Sequence, residues 1–305
     1  MKTRSMISFD WAMKRLLRSK ANFDVLEGFL SELLRRKIKI KNILESESNK
    51  ESREDKFNRV DILVEADCKE LVIIELQSYS QADYFQRMLY GTSKAIVEHI
   101  HEGDDYARVR KVYSINIVYF DLGIGDDYVY HGISNFRGLH THNELQLDDK
   151  QKNLYNKTFV GDLYPEYYIL KVKNFDDIAK NTLDEWIYYL KNSKILDNFT
   201  AQGLDKARKV LAFDKMSDEE KKQYWRNVEE RRIKDSEIRT ALYDGIVQGK
   251  EEGRAEGKAE GKVEGKLEGK LEEKLEIAKK MKLRETSFDQ ISEITGLSIE
   301  EIEKI

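Results

Sequence analysis

"VDILVEADCKELVIIELQ", Val60 to Gln77, consists of two aliphatic runs joined by Asp67, Cys68 and Lys69. Both runs are rich in β-branched and aliphatic side chains, so the polar break between them predicts a β-hairpin. A turn centred on Cys68 sets Asp61 opposite Glu75. In that register Val60, Ile62, Val64, Val72, Ile74 and Leu76 share one face, an unbroken apolar surface fit for a core. The other face carries Leu63, Leu71 and Ile73, then switches at its open end to Asp61, Glu75 and Gln77.

That polar end is where the stretch departs from a purely structural hairpin. Directly opposed side chains have Cβ atoms about 4.5–5.5 Å apart, and like charges there repel. A partly buried carboxylate also loses hydration unless it is paired. A divalent cation resolves both conflicts, because Mg²⁺ accepts one or two carboxylates and keeps several waters. The carbonyl of Leu76, between the two polar side chains, is a further candidate ligand. The alternative is an ion pair from Glu75 to a basic side chain such as Arg59 or Arg87.

Outward from the hairpin, "FDWAMKRLL" and "FDVLEGFLSELLRR" carry apolar residues at three and four spacings and predict amphipathic helices, with Phe23, Leu26, Leu30, Leu33 and Leu34 on one face. A polar loop, "ESESNKESREDKFNR", is expected before the hairpin. After it, "QADYFQRMLYGTSKAIVEHIHEG" predicts a helix ended by Gly103. "VYSINIVYF", "DDYVYHGISN" and "EYYILKV" predict strands, and "LDEWIYYLKN" a helix with Trp186, Tyr189 and Leu190 on one face.

From about Met216 the chain becomes polar and helical in pattern, with Ser217 as its N-cap. Gly245, Gly249, Gly253, Gly257, Gly261, Gly265 and Gly269 then recur every fourth residue among Glu, Lys and Arg. Read as a helix, the repeat offers a smooth ridge for another helix, and hence a route to a homo-oligomer; the alternative is a charged tether. The C-terminal run predicts two short helices around "TGLS". The expected divisions are a core over 1–200, a helical connector over 201–244, the repeat over 245–274 and a small helical module over 275–305.

Composition removes other classes. Charged residues make up 36% of the chain, yet the net charge is only -4, so contact with DNA must rest on local patches. One such patch is the basic stretch Arg35 to Lys41, which a charged helix end before a turn explains nearly as well. A single cysteine, Cys68, rules out an internal disulfide and a cysteine-rich zinc site and suits a reducing cytoplasm. No run has the length and apolarity of a membrane span or the centre of a signal peptide, so a soluble, cytoplasmic chain with no membrane contact is expected. His99, His101, His131, His140 and His142 read as solvated loop residues, and "GIGDD" as a turn.

Asp61, thirteen intervening residues and "ELQ" closing an aliphatic strand resemble the core of PD-(D/E)xK nucleases. More specifically, "DWAMKRLL", "DILVEA", "VIIELQ", "YFQRMLYGTSKAI", "VYSINIVYF", "LDEWIYYL" and the glycine-repeat tail are together similar, in order, to the Rpn family of recombination-promoting, transposase-type nucleases. The resemblance implies an α/β fold, a mixed sheet flanked by helices as in restriction endonucleases, followed by a long helical tail. It implies a metal-dependent DNA endonuclease, using Mg²⁺ or Mn²⁺ in its place, that hydrolyses phosphodiester bonds with a metal-activated water. Asp61, Glu75 and the Leu76 carbonyl would hold the metal, with Gln77 where the wider superfamily usually has a catalytic lysine, a substitution the Rpn group shares. Glutamine cannot act as a cation or titrating base but can orient a water or a phosphate oxygen. Arg87 and Lys94, seven residues apart on one helix face, could supply the missing charge. Val60 replaces the proline of the superfamily name, and Asp10 and Lys14 match an opening "D..FK" pattern in which Met13 replaces Phe. The competing expectation is a nuclease-like module without catalysis that binds DNA or protein and self-associates through its tail.

Overall fold

A computed structural model describes residues 8, 11–12, 20–44 and 61–305, with the side chains of Cys68 and Asp214 left aside. Asp10, Met13, Lys14, the polar run 45–59 with Arg59, and Val60 lie outside the described residues. The chain divides into two compact units, Met1–Trp225 and Arg226–Ile305.

The first unit is built on six strands: β1 (Ile40–Leu44), β2 (Ile62–Ala66), β3 (Leu71–Gln77), β4 (Val112–Val118), β5 (Val129–Gly132) and β6 (Glu166–Lys171). They form one mixed sheet in the order β1-β2-β3-β4-β6-β5. The β2–β3 pairing matches Ile62 with Ile74, Leu63 with Ile73 and Val64 with Val72, the register expected from the hydrophobic alternation. A single 3-10 turn, Asp67–Lys69, joins the strands, with Lys69 in the left-handed region (φ 59°).

β3, β4 and β6 run parallel. Parallel neighbours need a crossover and are covered on both faces, which explains why "VYSINIV" is buried along its whole length. The crossover helix is part of the set α1 (Phe23–Leu34), α2 (Tyr84–Glu98), α3 (Asp149–Tyr155), α4 (Thr182–Asn192), α5 (Leu204–Val210), α6 (Asp218–Lys282), α7 (Phe288–Thr295) and α8 (Ile299–Glu303). α2 lies between β3 and β4 in sequence. Its Ala95 packs with Leu63, Leu71, Ile73 and Val112, and its Tyr84 and Met88 with Val118, Phe120 and Leu122. Ile62, Val64, Val72, Ile74, Leu76, Ile115, Ile117 and Leu170 fill the opposite face, and Phe29 of α1 meets Trp186 of α4 at 5.6 Å between ring centroids. Trp186, Tyr189 and Leu190 are buried as their spacing predicted.

Two expectations are corrected. The basic stretch after α1 is not simply a helix end: α1 stops at Arg35 in the left-handed region (φ 52°), and Ile40 opens the edge strand β1. Ile38 and Ile40 are buried, Ile40 N–H donates to Glu27 Oε1 at 2.9 Å, Arg36 pairs with Glu70, and Lys39 pairs with Glu27. Those cations are held by buried carboxylates. The helix expected to reach Gly103 ends at Glu98; Gly103 sits in the following turn with φ 86°.

The second unit contains most of α6. This helix starts in a capping box, Ser217 Oγ accepting from Glu220 N–H and Glu220 Oε2 from Ser217 N–H (3.2 and 2.8 Å), and runs unbroken through the glycine repeat. A Cβ added at any of the seven repeat glycines would meet nothing within 4 Å. α7 and α8 flank Gly296, which takes φ 68°, and bury Ile291, Leu297 and Ile302 against Ala278 of α6. No helix among the described residues is long and apolar enough to cross a membrane.

Candidate functional site

Asp61 lies in a bend just ahead of β2 rather than within its ladder. Its Oδ2 accepts a 2.8 Å hydrogen bond from the Leu76 N–H. That bond joins the entrance of one hairpin strand to the end of the other and brings the Asp61 and Glu75 carboxylates close enough for Asp61 to raise the pKa of Glu75. A strand residue's N–H and C=O point to the same neighbour. The Leu76 carbonyl therefore opens on the Asp61 side, whereas the Gln77 carbonyl faces β4 and accepts from Tyr119 N–H at 3.0 Å.

Glu75 is 4% exposed. Burial, opposed by the Arg87 guanidinium and reinforced by Asp61, pushes its carboxyl up to about 7. Oε1 meets Arg87 Nη2 as an ion pair and accepts no well-formed hydrogen bond among the described residues. Of the two basic partners weighed for Glu75, Arg87 occupies that place. It also donates from Nη1 to Gln81 Oε1 at 3.0 Å. Lys94, two turns further along α2, instead pairs with Glu98 at 3.5 Å. Gln77 is half-buried, and its amide donates to the Tyr79 carbonyl at 3.2 Å, which orients the side chain along the loop leaving β3.

Two residues of the site were not anticipated. Asn116 pairs with Glu75 across the parallel β3–β4 ladder and so shares its face. Its Nδ2 donates to the Ser114 carbonyl (3.1 Å), Ser114 Oγ (3.0 Å) and the Tyr168 carbonyl (3.3 Å), while Oδ1 accepts from Tyr84 OH at 3.3 Å. Tyr84 is fully buried, and burial together with Glu75 raises its phenol above the ordinary tyrosine value. The signal for Asn116 was present: Ser114 and Asn116 break an otherwise apolar strand at alternate positions, on the Glu75 face. No local pattern marks Tyr84.

The donor set suits a hard cation with open coordination. Two carboxylates and one carbonyl at a strand end leave room for water, as Mg²⁺ requires. Glu75 Oε1 is buried at the same strand end, where Arg87 Nη2 meets it as an ion pair. Among the described residues no group of three or more His, Cys, Asp or Glu side chains gathers as a closed metal cage. His131 is engaged elsewhere, stacked on Tyr168 at 4.3 Å and bonded to Glu166 at 2.9 Å.

The family model described as PD-(D/E)XK nuclease family transposase matches residues 7–241. No curated protein and no solved structure matches the chain. Because the match spans the hairpin, its crossover helix and the rest of the mixed sheet, and covers well over half of the sequence, the chain belongs to the PD-(D/E)XK nuclease family of transposases.

Proposed function

We propose that this protein is a Mg²⁺-dependent DNA endonuclease of the recombination-promoting, transposase-like kind, hydrolysing phosphodiester bonds in the cytoplasm. The family supports a nuclease acting on DNA. The observation that carries the finer reading is the hairpin end, where the Leu76 N–H holds Asp61 beside the buried Glu75. Asp61, Glu75 and the Leu76 carbonyl are the proposed ligands of Mg²⁺, with Mn²⁺ able to replace it. When bound, the ion would supply a Lewis acid that lowers the pKa of a water and neutralises charge on the scissile phosphate. Gln77 orients the attacking water or a phosphate oxygen through its amide. Arg87, released from Glu75, offers a guanidinium to the phosphate, and Lys94 is assigned to a neighbouring one. Catalysis is assigned to residues 1–200, linked through 201–244 to a self-associating repeat over 245–274 and the module over 275–305.

The test is nicking of supercoiled plasmid with Mg²⁺, Mn²⁺ or Ca²⁺. Asp61→Ala and Glu75→Ala should each abolish cleavage while leaving the circular dichroism spectrum unchanged; cutting by either variant would sink the site assignment. Two observations favour a second reading, a nuclease-like module that binds DNA or protein without turnover: Arg87 is paired with Glu75, and Gln77 is tied to the backbone of Tyr79. Retardation of DNA in a gel without cutting of any supercoiled, linear or single-stranded substrate would select it.

A further inference from the structure

The outer face of α2 is largely apolar and carries no charge. Phe85, Leu89, Ser93 and Val97 recur every fourth residue, with Gln86 and Tyr90 beside them, and all six are exposed. Phe85, Leu89, Tyr90 and Val97 are 50%, 59%, 42% and 68% exposed. Ile124, in the loop after β4, is fully exposed and extends the row, because a Cβ on its neighbour Gly123 would lie 3.6 Å from the Phe85 ring. In a chain with 36% charged residues, an uncharged row this long departs from the rest of the surface.

Such a patch marks a contact with another protein. It does not suit DNA, because the row offers no cation to a phosphate. Each helical residue advances about 100°, which puts Arg87 and Lys94 about 130° around α2 from the middle of the row. Their flank stays open when the row is covered. The row is also complementary to itself. Ser93 is its one small residue, and its hydroxyl donates to the Leu89 carbonyl at 2.9 Å, so covering it leaves no unpaired donor. A two-fold axis between Leu89 and Ser93 sets Leu89 of each copy into the gap over the other's Ser93, and Phe85 of each against the other's Val97. No like charges are opposed across the row. An aromatic side chain buries about 150–250 Å². At the exposures given, the row with Ile124 amounts to on the order of 600 Å² per copy, or roughly 1,200 Å² for a pair, the lower end of specific interfaces.

We infer that α2 pairs antiparallel with α2 of a second copy of this chain, across Leu89 and Ser93. The contact lies within the first unit, involves no part of the C-terminal helix and does not depend on the nuclease reading. Rows of residues four apart interdigitate at a crossing angle of about -50°, so the two helices meet most closely at Leu89 and Ser93. Towards the ends of the row they diverge, and the large Phe85 fills the widening gap opposite Val97.

The experiment is disulfide trapping on the full chain in a Cys68→Ser background, which reports on this face whatever the C-terminal helix does. Under mild oxidation a mixture of Leu89→Cys and Ser93→Cys chains should give the crossed disulfide. Phe85→Cys and Val97→Cys should each fail to link with their own copy, because the two-fold axis holds like positions about 18 Å apart along the helices. Val97→Glu added to both chains of the mixture should weaken the pairing about tenfold, equivalent to about 1.4 kcal/mol, and slow the crossed product accordingly. Val97 is exposed in the single chain, so the melting temperature should not move, which separates loss of the contact from loss of the fold. A disulfide between two Phe85→Cys chains or two Val97→Cys chains would show parallel pairing and overturn the inference. So would the absence of the crossed product, or its formation as fast with Val97→Glu as without it.

Discussion

Glu75 meets opposing demands: the sheet buries it, while its proposed role requires an ionised ligand. Burial pushes its carboxyl up to about 7 from the ordinary 4.5. Between those values the folded chain binds a proton that the unfolded chain has already lost, so stability falls as pH rises through the window. The full cost, on the order of 3 kcal/mol, is present above the folded value and absent below the unfolded one. Glu75→Gln should therefore raise the melting temperature at about pH 8 and leave it unchanged at about pH 4; an equal shift at both would refute the burial argument. Since metal competes with that proton, millimolar Mg²⁺ should raise the melting temperature of wild type more at about pH 8 than at about pH 5, and not that of Glu75→Gln. Arg87→Gln removes the cation that opposes burial and should move the pH midpoint of the stability loss upward.

Two glycines on two helices predict opposite outcomes for the same substitution. On α1, a Cβ at Gly28 would press into the Gln202 carbonyl oxygen and reach the Gly203 Cα at 2.6 Å. Backbone cannot yield as a side-chain tip does, so Gly28→Ala should cost about 1–3 kcal/mol in urea unfolding. At Gly253 on α6 a Cβ meets nothing within 4 Å, and Gly253→Ala should stabilise the helix by about 1 kcal/mol, visible as greater helicity on warming. Periodicity identified α1 but left the repeat around Gly253 open between helix and tether, and it could not separate these glycines, because close approach depends on a segment far away in sequence. The edge strand β1 was missed for a related reason. Ile38 and Ile40 alternate with lysines as a half-buried strand should, but the run is short, and the acid that fixes it, Glu27, lies on the preceding helix.

Across the whole protein a net charge of -4 leaves DNA engagement to a few local cations rather than a global field. Its salt dependence should be shallow. Lys94→Gln should flatten the slope of log affinity against log salt by about 0.9 for the one phosphate it is assigned, and an unchanged slope would remove Lys94 from the interface. The sequence by itself determined the hairpin, its register, the existence of the apolar strand β4, the Ser217 start of the long helix and the convergence of Asp61 with Glu75. All of these follow from periods of two or 3.6 and from neighbours a few residues apart. Only the tertiary structure decided that Arg87 rests on Glu75 while Lys94 turns to Glu98. It alone placed Tyr84 and Asn116 beside the carboxylates and tied Asp61 to the Leu76 N–H rather than setting it within the ladder. Those contacts depend on where the crossover helix lands on the parallel sheet, a position set by packing against both β3 and β4, which local sequence pattern does not encode.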